Sequence, residues 1–332
     1  MKEAGILERI IFVAGPPRSG TTFAAKSLNL HTAVMAAIDD HVYECWGLYH
    51  YRDRTGLVQE LRTRTLSTDE VKDRLTRHLV DGDNLVGAAP SFKTAGYPEI
   101  SQNQSLYHDT VRSLLDSNLV RHSFPLDRFS EKWYLCLKSP EISFVLPQLA
   151  DHFPTAKFVL VYRPVIEIAE SMYRIGNLVK RFPVYHERWK QEKKESGELL
   201  PPPGVPTEWY ALWQNAADFQ RCVIYTAGYI RAIVEGTSML SPHRFLVYNH
   251  AHLRNQPGET WQKLAQFLDI EVSGFQSAQL HLKVQPPVIP PHLEKELQEI
   301  EEKLDLNRLI QKIEALLVLI RENSCKFVGQ FV

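Results

Sequence analysis

The stretch GPPRSGTT at residues 15–22 decides the fold class of this chain. It follows a continuous apolar run, Ile10–Ala14, which is typical of a strand covered on both faces, and it leads into a helical stretch, Phe23–Leu30. A loop between a strand and a helix brings several backbone N–H groups to the positive end of the helix dipole, where anions bind. Gly15 and Gly20 have the spacing of a P-loop. The stretch therefore predicts a phosphate-binding loop in an α/β domain.

Three further apolar or β-branched runs predict buried parallel strands. They are Trp133–Leu137, Lys157–Tyr162 and Phe245–Tyr248. Ser139, a favoured N-cap residue, precedes an amphipathic pattern over residues 142–149, so that residues 133–162 predict a right-handed βαβ unit. We therefore predict a P-loop-like three-layer α/β/α fold with a central parallel sheet, helical insertions and a C-terminal helical tail.

The chain is expected to divide into one α/β domain over residues 1–290 and a helical appendage over residues 291–332. Within the domain, residues 181–213 are first highly charged and then rich in proline and tryptophan, a pattern typical of a surface excursion or of a lid over a substrate. Apolar residues at helical spacing in the appendage favour packing against the parent domain over a homodimer contact. Both alternatives remain open from the sequence.

The composition excludes several classes of protein. The chain has 38 Lys and Arg residues against 39 Asp and Glu residues, a net charge of −1, so it has no broad cationic field for nucleic acid. No apolar run approaches the ~18–20 residues of a membrane span. The 4 cysteines are isolated, which predicts reduced thiols and a cytoplasmic location. The histidines lack zinc-ligand spacing, and a surface turn explains the close pair His250 and His252.

The loop departs from a P-loop at one position. Thr21 occupies the place of the lysine that follows the second glycine, and the cation of the loop is Arg18. Two of the predicted strands end at cations, Lys138 and Arg163, where an NTPase needs a carboxylate to hold Mg²⁺. Cations at both strand ends predict an anionic nucleotide that is bound without metal.

Four segments resemble motifs of one enzyme family. PRSGTT at residues 17–22 is similar to the 5′-phosphosulfate loop of sulfotransferases that use 3′-phosphoadenosine-5′-phosphosulfate (PAPS), closest to the tyrosylprotein-type and related bacterial forms. Arg163 at a strand end, with Ser171 eight residues later, resembles the motif that grips the 3′-phosphate, and guanidinium and hydroxyl donors suit that group. Lys138 lies in a segment similar to the Lys-x-Pro segment of the tyrosylprotein-type enzymes. Tyr248 matches the family tyrosine on the adenine side, although Asn249-His250 replaces the Glu-Asp pair that follows it.

The resemblance implies transfer of the sulfuryl group from PAPS to a hydroxyl of a small-molecule, lipid or carrier-bound acceptor. The products are a sulfate ester and 3′,5′-ADP (PAP), formed by metal-independent in-line transfer. Arg18 and Lys138 are implied to stabilise the sulfuryl and bridging oxygens, because side-chain cations can replace a metal at a group of low charge. The implied cofactor-binding residues are Pro17, Arg18, Ser19, Gly20, Thr21, Thr22, Arg163, Ser171 and Tyr248.

The catalytic base is expected in the acidic stretch that follows the first helix. An ungapped count from the loop arginine to the glutamate base of the tyrosylprotein-type enzymes gives Asp39, with Glu44 and His41 as alternatives. Two other functions remain open. One is a P-loop kinase-like enzyme that acts on nucleotides, and the other is a non-catalytic scaffold that binds PAPS or PAP.

Two groups of aromatic residues suit an apolar acceptor pocket, although such residues more often belong to a core. They are Trp46, Tyr49 and Tyr51, and Trp209, Tyr210 and Trp213.

Overall fold

The structure is a computed structural model, and it describes residues 8–29, 31, 33–37, 61, 66–72, 134–174, 204–272 and 290–316. A five-stranded parallel sheet organises these residues, in the order β2-β3-β1-β4-β5. The strands are β1 (Ile10–Ala14), β2 (Val34–Ala37), β3 (Tyr134–Lys138), β4 (Lys157–Tyr162) and β5 (Phe245–Asn249). This arrangement confirms the predicted α/β fold with a central parallel sheet.

The helices pack against both faces of the sheet. They are α1 (Thr21–Asn29), α2 (Leu146–His152), α3 (Val165–Arg174), α4 (Tyr210–Gln214), α5 (Asp218–Thr237), α6 (His250–Asn255), α7 (Pro257–Leu268) and α8 (Pro291–Leu304). Side chains of β1 alternate between two cores, because successive residues of a strand point to opposite faces. Ile10 and Phe12 join the core beneath α2, α3 and α5, whereas Ile11 and Val13 join the core beneath α1 and α7.

Strand β1 is central, and the chain leaves it in two directions. It first reaches β2 and β3 on one side, and then crosses to β4 and β5 on the other. In a parallel sheet the carboxyl ends of all strands lie at one edge, and ligands bind where the strand order reverses. That edge, here called the carboxyl edge, carries the loop 15–20, Lys138 and Arg163.

Helix α8 is built into the sheet domain. Leu293, Ile300 and Leu304 are buried in the same core as α5, and the side chain of Gln220 on α5 donates to the carbonyl of Glu296 at 3.1 Å. The apolar stripe of the tail is therefore used for packing within the chain over these residues. A homodimer through the C-terminal helices stays a prediction.

The region after β3 differs from the sequence expectation. Ser139 is the N-cap residue of a 3-10 helix over Pro140–Phe144, but its hydroxyl donates to the carboxylate of Glu141 and makes no capping hydrogen bond. A separate helix, α2, begins near Pro147, because proline has no N–H for the hydrogen bond that would continue the preceding turn. The predicted single helical pattern is therefore two short helices.

Several further features bear on the expectations from the sequence. Strand β2 was not expected, because its sequence VMAA is short and lacks the β-branched character of the other strands. Of the excursion 181–213, residues 181–203 lie outside the described ranges, while the remainder is mostly helical and buries Trp213 in the core. Trp46, Tyr49 and Tyr51 also lie outside them. Among the described helices, none has the length and apolar character needed to cross a bilayer.

Candidate nucleotide-binding site

The loop 15–20 has a backbone that depends on glycine at two positions. Gly15 (φ 148°) and Gly20 (φ 103°) both have positive φ. A Cβ atom on Gly15 would lie 2.5 Å from the carbonyl oxygen of Val161 on β4, so the loop packs directly on the neighbouring strand. Arg18 also has a positive φ of 72°, which is unfavourable for a residue with a Cβ atom. The loop is thus a specific and partly strained shape.

The loop leads directly into α1, whose first N–H groups have no partner within the helix. The N–H of Ser19 donates to the carbonyl of Pro16 at 3.0 Å, which closes the turn before the helix starts at Thr21. The hydroxyl of Ser19 is buried and has no hydrogen-bond partner among the described residues. The predicted residues Pro17, Ser19, Gly20, Thr21 and Thr22 therefore form a single turn of chain at the helix start.

Two arginines and a serine from distant parts of the chain meet beside this loop. The Nε of Arg18 donates to Oγ of Ser171 on α3 at 3.3 Å, and Nη1 of Arg163 donates to the carbonyl of Arg18 at 3.4 Å. Glu167, in the first turn of α3, accepts a hydrogen bond from Nε of Arg163 at 2.8 Å and so orients the guanidinium. Arg163 and Ser171 thus each contact Arg18, and their binding of a 3′-phosphate stays a prediction.

Lys138 is the last residue of β3, and it is paired in register with Val13, two residues before Gly15. It is only 3 % exposed. A cation buried at the carboxyl edge beside the loop acts more strongly than one in water, since little solvent screens its charge. Lys138 therefore adds a buried cation to the edge that carries the two half-buried arginines.

Residues 10–196, more than half of the chain, match the profile of the Sulfotransferase family. The chain belongs to the sulfotransferase family. Membership supports sulfotransferase activity for this enzyme and confirms the resemblance found in its motifs. No curated protein sequence matches the chain.

Three solved structures that are similar to this chain are themselves sulfotransferases or sulfotransferase domains. The sulfotransferase domain from the curacin biosynthetic pathway is 17 % identical, with a TM-score of 0.43 over 90 % of this chain and 97 % of that one. The sulfotransferase from Alicyclobacillus acidocaldarius is 12 % identical, with a TM-score of 0.44 over 93 % and 95 %. The sulfotransferase domain of the Synechococcus PCC 7002 olefin synthase is 13 % identical, with a TM-score of 0.42 over 89 % and 94 %.

A buried carboxyl group of this sulfotransferase lies close enough to Lys138 to interact with its charge. Glu141 is 7 % exposed, and it accepts from the hydroxyl of Ser139 and from that of Tyr229 at 3.4 Å. The hydroxyl of Tyr225 lies 3.2 Å from that of Tyr229, which extends the network along α5. Burial raises the pKa of Glu141, although its two hydroxyl donors and the charge of Lys138 oppose this shift. No sequence pattern indicated this group, because Glu141 and its partner Tyr229 lie far apart in the chain.

Replacing Glu141 with glutamine is expected to make the sulfotransferase more stable at neutral pH. A raised pKa means that the folded state disfavours the carboxylate, so the wild type loses stability as the pH rises from the ordinary value of 4.5 through the folded pKa. The amide has the same shape and no charge. Chemical denaturation of both proteins at several pH values tests this: the gain should vanish below the ordinary pKa. A Gln variant that is less stable at neutral pH would contradict it.

Tyr248, predicted on the adenine side, lies in a core. It is 2 % exposed in the cluster beneath α1 and α7, and its hydroxyl has no partner among the described residues. This burial raises the pKa of Tyr248 well above its ordinary value. Its contact with adenine stays a prediction. The base candidates Asp39, Glu44 and His41 lie outside the described residues, so Asp39 also stays a prediction.

His250 differs from the sequence expectation of a surface turn. It is half-buried, and its ring contacts the loop at Gly20 and meets the ring of Phe23 edge-on at 6.1 Å between centroids. The position directly after a strand was the available signal, because strand ends meet at the carboxyl edge. Within the described ranges, no group of His, Cys, Asp and Glu side chains is arranged to hold a metal ion.

Proposed function

We propose that this sulfotransferase moves the sulfuryl group of PAPS to a hydroxyl group of its acceptor. The observation that carries the proposal is the convergence of Arg18, Arg163 and Ser171 beside a loop that opens α1. A phosphate-binding loop alone suits any nucleotide. A second cluster of guanidinium and hydroxyl donors beside it suits a nucleotide with phosphate groups at both the 5′ and the 3′ position.

The residues of the site fit such a ligand. The hydroxyl of Ser19 is buried and has no hydrogen-bond partner among the described residues. Buried polar groups normally have a partner, and a phosphate oxygen would provide one. The N–H groups of residues 19–22 and the hydroxyls of Thr21 and Thr22 would hold the 5′-phosphate, while Arg163 and Ser171 would hold the 3′-phosphate. When bound, PAPS supplies the sulfuryl group and departs as PAP.

The chemical roles of the chain follow from the charges at the carboxyl edge. Arg18 and Lys138 would offset the negative charge that the sulfuryl and bridging oxygens gain during transfer. Asp39 would accept the proton of the acceptor hydroxyl, whose oxygen would take the sulfuryl group that bound PAPS supplies. Metal-independent transfer is proposed because β3 and β4 end in Lys138 and Arg163, where a P-loop NTPase has a carboxylate for Mg²⁺.

The acceptor and the location are the broadest parts of the proposal. We assign the acceptor to the class of small-molecule, lipid or carrier-bound hydroxyl compounds, and we place the reaction in the cytoplasm. The balanced net charge of −1 supports an acceptor other than nucleic acid. Screening hydroxyl compounds with radiolabelled PAPS identifies the acceptor once cofactor binding is established.

Calorimetry in EDTA tests the function before any acceptor is known. We expect PAP to bind with micromolar affinity in the absence of metal, and 5′-ADP to bind much more weakly, because it lacks the 3′-phosphate. Binding of ATP in a parallel titration with Mg²⁺ and no EDTA, together with no binding of PAP, would reject the sulfotransferase mechanism and favour a kinase-like enzyme. PAP binding without sulfate transfer to any compound of a broad panel would favour a scaffold.

The Arg163→Ala variant is expected to bind PAP more weakly by about 1.5–3 kcal/mol, the contribution of a hydrogen bond to a charged group. Its affinity for 5′-ADP should change far less, so the preference for PAP should shrink. Arg174→Ala is the matched control, because Arg174 lies on α3 with 56 % of its side chain exposed and pairs with Glu170. Equal PAP affinity in Arg163→Ala and the wild type would refute the role of Arg163.

A further inference from the structure

His250 is held at the carboxyl edge by the end of β5. Strand β5 ends at Asn249, whose side-chain oxygen accepts the N–H of Ala251 at 2.8 Å and so caps the start of α6. This cap sets His250 as the first residue of α6, directly beyond the sheet. An Asx cap of this kind restricts the backbone on both sides of the capped turn. The cap therefore fixes the backbone position of His250 at the carboxyl edge.

The imidazole packs against the phosphate-binding loop. A Cβ atom on Gly20 would lie 2.5 Å from Cδ2 and 3.2 Å from Nε2 of His250, so only a glycine leaves room for the ring. The ring of Phe23, one turn into α1, meets the imidazole edge-on with an angle of 73° between planes. Gly20 and Phe23 thus form a seat for His250 at the start of α1, and the Cδ2–Nε2 side of the ring faces Gly20.

We propose that His250 is a further ligand of the nucleotide, and that its imidazole donates a hydrogen bond to the 5′-phosphate group. The inference rests on the proposed function, since that function places the 5′-phosphate at residues 19–22. Gly20 precedes the first N–H groups of α1, which are the donors for that phosphate. A ring nitrogen beside Gly20 approaches the same anion from the side of β5. Arg163 and Ser171, the proposed ligands of the 3′-phosphate, lie elsewhere, at the end of β4 and on α3.

The assignment separates the two ends of the nucleotide. His250 contacts the loop at the start of α1, whereas Ser171 and Arg163 lie on α3 and at the end of β4. The affinity of a ligand without the 5′-phosphate should therefore not depend on His250. Adenosine 3′-monophosphate (3′-AMP) is such a ligand, because it keeps the 3′-phosphate and the base and lacks the 5′ group.

The experiment measures PAP and 3′-AMP affinities by calorimetry in EDTA for the wild type and three variants. His250→Leu keeps apolar bulk against Phe23 and removes the donor. His250→Gln keeps an amide N–H near the position of Nε2. His252→Ala is the matched control, because His252 lies on the same helix two residues further on and is not part of the seat. Thermal unfolding of each variant shows that the fold is retained.

We expect His250→Leu to lose roughly ten- to hundredfold in PAP affinity, the effect of a hydrogen bond to a charged group, and to keep its 3′-AMP affinity. His250→Gln should recover most of the loss, and His252→Ala should match the wild type. Equal loss for both ligands, or wild-type PAP affinity in His250→Leu, would overturn the assignment. Failure of the wild type to bind PAP would reject the proposed function itself, and the two failures are thus distinct.

Discussion

The Lys138→Met variant is expected to lose about 10²- to 10³-fold in kcat, the cost of removing one preorganised donor to a developing negative charge. Lys138 is 3 % exposed at the end of β3, so its charge acts in a poorly solvated site beside the loop. Methionine keeps the unbranched stem and removes only the charge. The measurement is transfer from radiolabelled PAPS to the acceptor, together with PAP affinity by calorimetry.

The controls for Lys138 separate chemistry from folding and binding. PAP lacks the sulfuryl group, so its affinity should fall far less than kcat in Lys138→Met. Lys263→Met should leave both unchanged, because Lys263 lies on the outer side of α7, where it pairs with Glu259 at 2.6 Å. If Lys138→Met retains wild-type kcat in a folded protein, Lys138 has no role in transfer.

The Gly228→Ala variant is expected to lower the free energy of unfolding by about 3 kcal/mol, the upper part of the range for overpacking a core. In a helix interior this substitution is normally stabilising by up to ~1 kcal/mol, because glycine has a low helix propensity. Here the sign reverses. A Cβ atom on Gly228 in α5 would lie 1.7 Å from the backbone carbonyl oxygen of Gly204. Backbone atoms cannot rotate away, so the two segments must separate.

Gly258→Ala is the matched control for this prediction. Gly258 lies in α7, and a Cβ atom there would meet nothing within 4 Å. We expect this variant to be more stable than the wild type by about 0.5 kcal/mol, through a lower entropy of the unfolded chain. Chemical denaturation of both variants gives the comparison. If both glycines respond to alanine with the same sign, the close contact between Gly204 and Gly228 does not limit stability.

The contact of Gly204 with α5 also involves Tyr229, which is hydrogen-bonded to Glu141. A Cβ atom on Gly204 would be 2.4 Å from Cε2 of Tyr229, whose hydroxyl donates to Glu141. Glu141 follows Lys138 by one turn of chain. The segment at residue 204 is therefore packed on the tyrosine that donates to Glu141. Gly228→Ala should disturb this arrangement as well as the stability.

Much of the fold was accessible from the sequence, because its signals are local. Continuous apolar runs predicted four of the five strands, and each lies within one residue of its expected bounds where it is described. Strand β2 had no such signal: VMAA is a strand because β3 offers it a hydrogen-bonding edge, from Val34↔Tyr134 onward. Ser139 and Pro140 suggested a capped helix, but the nearby carboxylate of Glu141 competes for the serine hydroxyl.

By itself, the sequence determined the family, the parallel sheet, and the positions of the loop 15–20 and of Arg163 after their strands. These depend on residue types at short spacings, which local backbone geometry and strand order translate directly into position. Only the tertiary structure decided that Tyr229 donates to Glu141, that Arg18 reaches Ser171, and that His250 sits on Gly20. Each of these joins residues far apart in the chain, and such pairs exist only after the helices have packed on the sheet and brought strand ends to one edge.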